Sequence, residues 1–218
     1  MAIVKSIGRF TPEDPKTHPK DWILCKDESP GGDKFILPYG TRVNLTKTEN
    51  ERDYFEILDY RELKGKLASL SFATVNGKKE SRLIAPPTYA EPAKVLWDAA
   101  TGKVTVKSAD GSKTVIAAAT SQPQVPNGTY KIWPKVPAKA FQHAAGFVDR
   151  APHALSWWVI DYKISEGYCF HTGSNSLGCV TVTEHARWDS IFEILVLART
   201  ADNLCSGEIT IKGHELVA

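Results

Sequence analysis

Short runs of β-branched and aromatic residues, each bounded by turn-forming residues, recur along most of the chain and predict strands. Phe35–Leu37, Arg42–Thr46 and Tyr54–Leu58 are three such runs, separated by Pro38–Thr41 and by the polar stretch Lys47–Asp53. Ala85–Pro92 then carries three prolines in eight positions, which blocks helix and central strand alike and predicts an extended connector. Beyond it, Val95–Trp97 and Lys103–Lys107 flank Ala100–Gly102, and the second run alternates outward lysine with inward valine as a half-buried hairpin strand does. Val115–Ala119 extends that sheet, and the Pro126–Gly128 turn leads into a further strand through Tyr130 to Trp133. Ser156–Tyr162 and Gly167–His171 are the next two strand candidates. Only Glu184–Arg199 changes period: Trp188, Ile191, Phe192 and Leu195 fall at helical spacing, and Thr181–Glu184 has the form of a capping box.

The pattern therefore predicts a mainly β chain with one helix in its C-terminal half. Its organisation is a small β-rich N-terminal domain over 1–84, a proline-rich linker over 85–92 and a second domain over 93–218. A chain of 218 residues buries roughly 70% of its unfolded surface and needs no disulfide or metal staple. Lys+Arg and Asp+Glu nearly cancel to a formal charge of +2, and no basic run is present, which argues against a nucleic-acid partner. No stretch reaches the eighteen or so apolar residues of a membrane span, and Met1–Arg9 lacks the apolar core of a secretory signal. The four cysteines, Cys25, Cys169, Cys179 and Cys205, are too sparse and irregular for a disulfide framework, and Cys25 and Cys205 are expected to be buried small hydrophobes.

Candidate chemistry concentrates in Phe170–Val180, where an imidazole, small hydrogen-bonding residues and a Gly-Cys pair share one short segment. A free thiol with a pKa near 8.5 is only about 3% thiolate at pH 7, so a nucleophilic cysteine requires a neighbouring base. His171 is the nearest candidate for Cys179. Side chains alternate across a strand, so Cys169 and His171 share one face while Tyr168 and Phe170 take the other. Gly178 permits a tight turn that aims the amides of Cys179, Gly178 or Leu177 at an oxyanion. The loop Thr172–Asn175 offers groups to orient the second ring nitrogen of His171.

These residues resemble a known family. The Val125–Ile132 turn and strand, a strand ending in His171, and Ser176-Leu177-Gly178-Cys179-Val180 followed by a helix are similar to the L,D-transpeptidase catalytic domain, over roughly residues 93–200. The resemblance implies an L,D-transpeptidase-like β-sandwich or barrel acting on peptidoglycan stem peptides by cysteine acyl transfer: cross-linking, amino-acid exchange or L,D-carboxypeptidase cleavage. Carried over position by position, Cys179 is the nucleophile, His171 its base, Thr172 the carbonyl that orients the base, Gly178 the turn residue and Ser176 the signature hydroxyl. Leu177, Ser174, Asn175 and Trp158 are the expected substrate contacts, and no metal or cofactor is called for. The chain departs from the family at Leu177, where a histidine is usual, at Thr181, where an arginine is common, and in having only seven residues between His171 and Cys179. Residues 37–43 also loosely resemble a bacterial src-homology-3-like barrel. A cell-wall substrate implies action in the periplasm or wall, reached through a secretion apparatus or carrier protein, as for an antibacterial effector or phage product.

Two other readings stand beside this one. Cys169, His171, Cys179 and His185 are residue types that zinc accepts, and six tryptophans, among them Trp133, Trp157 and Trp158, are enough to line the groove of a non-catalytic peptidoglycan-binding module. Trp157 and Trp158 are adjacent, so at least one of the two is expected in the core. His143 and His153 are alternative bases or pocket-rim residues; His185 is expected in the first helical turn.

Overall fold

A computed structural model of the chain describes residues 3–13, 16, 18–121, 124–135, 144–175 and 178–214. Nine strands precede the connector: β1 (Ile3–Ile7), β2 (Trp22–Asp27), β3 (Lys34–Pro38), β4 (Arg42–Glu49), β5 (Arg52–Ile57), β6 (Leu67–Ser71), β7 (Ala73–Val75), β8 (Lys78–Glu80) and β9 (Leu83–Ile84). Seven of them form one sheet in the order β3-β2-β6-β5-β4-β1-β9, and β7 and β8 pair separately as a small hairpin. The sheet's inner face carries Ile23, Cys25, Leu37, Val43, Phe55 and Ile57 into a core of its own.

After the connector come β10 (Ala93–Asp98), β11 (Lys103–Lys107), β12 (Thr114–Thr120), β13 (Gly128–Pro134), β14 (Trp158–Ile160), β15 (Cys169–Thr172), β16 (Val180–Val182), the helix α1 (Trp188–Leu197) and β17 (Gly207–Lys212). The eight strands close into a barrel in the order β10-β11-β12-β16-β15-β14-β13-β17. The hairpin expected across Ala100–Gly102 is present with Val95 opposite Val106, and β11 alternates exposed lysines with buried Val104 and Val106. Trp158, Phe170, Val180 and Val182 fill the barrel and meet Trp188, Ile191, Phe192 and Leu195 from α1.

The helix is shorter than its apolar spacing predicts, because a 3-10 turn over His185–Arg187 precedes it. The expected capping box does not form: Thr181 belongs to β16, and the Glu184 carboxylate accepts from the Ala118 amide (3.1 Å) and from Arg187 Nε (3.1 Å).

The two halves are pressed together. Trp133, Val159 and Cys205, on the barrel's outer face, belong to the core of the N-terminal sheet. The proline-rich connector is pinned rather than loose: the Tyr89 hydroxyl reaches Gly40 O (2.6 Å) and Ser6 Oγ (2.6 Å), and Ala90 bridges Ala198. Across the seam, Asp59 accepts from the Arg42 amide (2.8 Å), from Arg42 Nε (2.9 Å) and from Arg199 Nε (3.2 Å), while the remaining Arg199 donors reach the carbonyls of Val196, Ala198 and Gly40. Both Asp59 and Arg199 are buried, so each charge depends on the other.

His153 forms a second buried tie. Its Nε2 lies 3.1 Å from Asp21 of the N-terminal sheet, its Nδ1 lies 2.9 Å from Asp189 of α1, and its ring stacks on Phe192. Arg9 completes this cluster by bridging Asp21 and Glu193. The expectation that His153 is a spare base or pocket-rim residue is therefore corrected: its ring is committed to two carboxylates in the interface. Burial pushes the His153 pKa down, but the hydrogen bonds to Asp189 and Asp21 outweigh it and raise it above 6.5. Burial likewise pushes Asp21 and Asp189 up, yet their bonds to His153 hold both below 3.8.

Two predictions follow from these ties. Asp59→Ala leaves the Arg199 guanidinium buried without its counter-charge and costs about 3–5 kcal/mol, measurable by urea denaturation. The raised imidazole adds stability that is complete below the unfolded pKa and is lost as pH rises through the folded one; the lowered carboxylates add stability that is lost as pH falls through their folded values. Thermal stability therefore peaks at mildly acid pH, between 3.8 and 6.5, and declines through neutrality, and His153→Gln flattens the decline.

Candidate active site

The parallel pairing of β15 with β16 builds the candidate site. Phe170 faces Val180, His171 faces Thr181 and Thr172 faces Val182. Parallel neighbours usually need a crossover of a dozen or more residues, but these strands span only four and three residues. A seven-residue return, Gly173 to Cys179, is long enough at about 3.3 Å per residue. Alternation then sorts the side chains. Phe170, Val180 and Val182 turn into the barrel core, and Cys169, His171, Cys179 and Thr181 share the outer face.

On that face lies a cleft of about 680 Å³ whose lining includes His171, Thr172, Ser174, Asn175, Cys179 and Trp157. The His171 ring is held on three sides. Its Nδ1 is 2.8 Å from the Thr172 carbonyl, its Nε2 is 3.3 Å from Thr181 Oγ1, and its face stacks on Trp157 at 4.1 Å. A carbonyl only accepts, so Nδ1 carries the proton of the neutral ring and Nε2 keeps the lone pair. That is the tautomer of a general base.

Thr172 is itself anchored: its hydroxyl donates to Val182 O (2.9 Å) and accepts from His185 Nδ1 (3.0 Å), whose ring packs on Phe147. Burial lowers the His185 pKa, with Arg150 adding to the effect. His185 lies in the 3-10 turn before the helix, with its Nδ1 committed to Thr172. Among the described residues, Asp21, His153 and Glu193 are the one group with three or more ligand atoms close enough for an ion. Cys169, His171, Cys179 and His185 do not gather as a zinc set.

Cys179 is half-buried at the cleft, directly after Gly178 and before β16. Gly178 has φ +98°, and a Cβ there would meet Tyr168 Cε1 at 2.6 Å, so the turn before the thiol admits only glycine. The Cys169 amide donates to Cys179 Sγ at 3.2 Å, an N–H that stabilises a thiolate more than a thiol. Nearby, the Tyr168 hydroxyl donates to the Glu166 carboxylate at the cleft edge and also contacts Gln124 Oε1 at 3.0 Å. The bond to Glu166 and burial push the Tyr168 phenol up to about 12.

The structure thus brings together Cys179, His171, Thr172, Gly178, Ser174 and Asn175, while Ser176, Leu177 and His143 lie outside the described residues. Trp158 is not a cleft residue: its side chain is buried in the barrel and its Nε1 donates to Ser206 Oγ (3.2 Å). Its neighbour Trp157 faces the cleft instead, as the alternation of adjacent strand residues allows. Trp133 likewise is buried, in the seam between the halves. Sequence reasoning placed Trp157 only as a groove-lining candidate of the binding-module reading and assigned no site role to Thr181, Phe147 or Glu166; period-two spacing from Cys179 marks Thr181, whereas nothing local marks Phe147 or Glu166.

No family model, curated protein or solved structure matches the chain.

The geometry predicts thiol reactivity. His171→Ala slows alkylation of Cys179 by iodoacetamide at pH 7 by about an order of magnitude, because the base that can take the thiol proton is removed. The rate is read by peptide mass, with Cys25 and Cys205 as unreactive internal standards.

Proposed function

We propose that the cleft is the acyl-transfer site of a divergent L,D-transpeptidase-like enzyme, with the barrel as its catalytic domain and peptidoglycan stem peptides as its substrates. One observation carries this reading: the Nδ1 bond to Thr172 O leaves the His171 Nε2 lone pair on the sheet face that also presents Cys179. The order of base before nucleophile along the chain and the glycine-only turn at Gly178 agree with the residues on which the resemblance rests.

In this reading His171 Nε2 takes the Cys179 proton and the thiolate attacks the carbonyl carbon of the scissile amide. The amides of Cys179 and Gly178 hold the oxyanion of the tetrahedral intermediate. Its collapse forms the thioester as protonated His171 gives its proton to the departing amine. An amine acceptor then yields a cross-link or an exchanged amino acid, and water yields a trimmed stem. Trp157 supports the imidazole and walls the donor side of the cleft. The N-terminal sheet serves as a wall-binding or delivery adaptor, and the protein acts in the periplasm or cell wall after passage through a secretion apparatus or on a carrier.

Incubating the protein with isolated sacculi, digesting them and weighing the muropeptides tests the proposal. The expected result is new masses from cross-linking, exchange or trimming. Cys179→Ala abolishes them and His171→Ala reduces their rate by about 10²–10⁴, with both variants folded. Unchanged masses with retained sacculus binding would establish a non-catalytic binding module in place of the enzyme.

A further inference from the structure

A second thiol stands beside the first and has no part in the acyl-transfer scheme. Cys169 opens β15 and Cys179 immediately precedes β16, so continuing the Phe170–Val180 register one step back sets the two opposite each other. Adjacent strands lie about 4.7–4.9 Å apart, within the roughly 4.4–6.8 Å Cα separation that a disulfide spans, and parallel partners send their side chains off the same face. The contact between them is direct, because the Cys169 amide donates to Cys179 Sγ at 3.2 Å. Neither sulfur is in a disulfide. Their surroundings differ: Cys179 opens on the cleft, whereas Cys169 is wholly buried, with its sulfur 3.2 Å from Gly167 O.

We propose that Cys169 is a resolving thiol that closes a reversible disulfide with Cys179 when a peroxide reaches the cleft. The Cys179 thiolate attacks one peroxide oxygen, the O–O bond breaks, and sulfenic acid forms with release of hydroxide. Cys169 sulfur then attacks Cys179 sulfur; its proton leaves with the expelled hydroxide as water, and the S–S bond forms. Two thiols lose two electrons in all, one peroxide gains them, and two waters result. The pairing of a thiol open to the cleft with a buried one suits these roles: the hydrogen bond to Cys179, and then burial, hold the Cys169 thiol protonated well above the ordinary range, against the pull of Lys135. The buried partner is thereby protected from direct attack, and oxidation starts at the cleft. Closing the bridge stops the nucleophile short of irreversible sulfinic acid, and thiol reduction restores it.

Both cysteines fall on one tryptic peptide, Ile164–Arg187, which makes the test direct. The full chain is treated with hydrogen peroxide, alkylated with iodoacetamide in denaturant and digested. The expected product is this peptide without alkyl groups and two hydrogens lighter than the dithiol, becoming doubly alkylated if reduced first, while Cys25 and Cys205 remain alkylated throughout. A peptide with Cys169 alkylated and Cys179 carrying two or three oxygens overturns the proposal, as does a bridge to any other cysteine. Cys169→Ser, or Cys169→Ala if the serine variant does not fold, is expected to raise the irreversibly oxidised fraction of Cys179 several-fold; an unchanged fraction refutes the resolving role. The wild-type mapping stands without either variant and does not depend on which acyl acceptor or substrate the cleft takes.

Discussion

The alignment of two very short parallel strands, His171 opposite Thr181, is the constraint on which the rest of the site depends. It fixes which side chains leave the barrel together: a shift of one residue would turn Cys179 or His171 into the hydrophobic interior and bring a valine or phenylalanine out. The register is held from behind by Phe170, Val180 and Val182, which pack on Trp188 and the other apolar residues of α1. Hydrophobic burial on the inner face thus sets the position of polar chemistry on the outer one. From the front, Trp157, the Thr172 carbonyl and Thr181 Oγ1 restrain the imidazole plane, and Gly178 sets the approach of the thiol.

The N-terminal sheet completes the barrel's exterior beside the cleft. Outward-facing Trp133 and Val159 would be exposed on an isolated barrel and are instead built into the sheet's own core. The charged part of this seam is costly to desolvate and is retained only because its charges are paired: Asp59 with Arg42 and Arg199, and His153 between Asp21 and Asp189. Such pairs add less to net stability than their Coulomb attraction suggests, but they exclude other dockings, since any displacement strands a buried charge. His153 also connects the sheet to the first turn of α1, whose residues line the back of the strands that carry the site.

Much of the local structure was legible in the residues. Period-two alternation marked β11, and turn chemistry at Gly102 and Pro126–Gly128 marked the starts of β11 and β13. The same alternation put His171 and Cys169 on one face. The failures have a common cause. β1 and β17 pair with strands far away in sequence, as in the pairing of Gly128–Ile132 with Gly207–Ile211, and no local signal marks such a partner. Thr181–Glu184 has the composition of a helix cap, yet tertiary pairing draws Thr181 into β16 and bends the chain into a 3-10 turn before the helix begins.

What the sequence by itself determined is the mainly β character, an α-helix in the C-terminal half, and the presence of a histidine, a glycine and a cysteine at spacings that permit thiol chemistry. These follow from interactions between residues a few positions apart. The tertiary structure alone decided that the strands close into a barrel, that Trp157 and not Trp158 meets the imidazole, that His153 is a tie between the halves, and that Cys169 stands against Cys179. Those outcomes depend on which surfaces are buried together, and burial is settled between segments distant along the chain, where local periodicity carries no record of the partner.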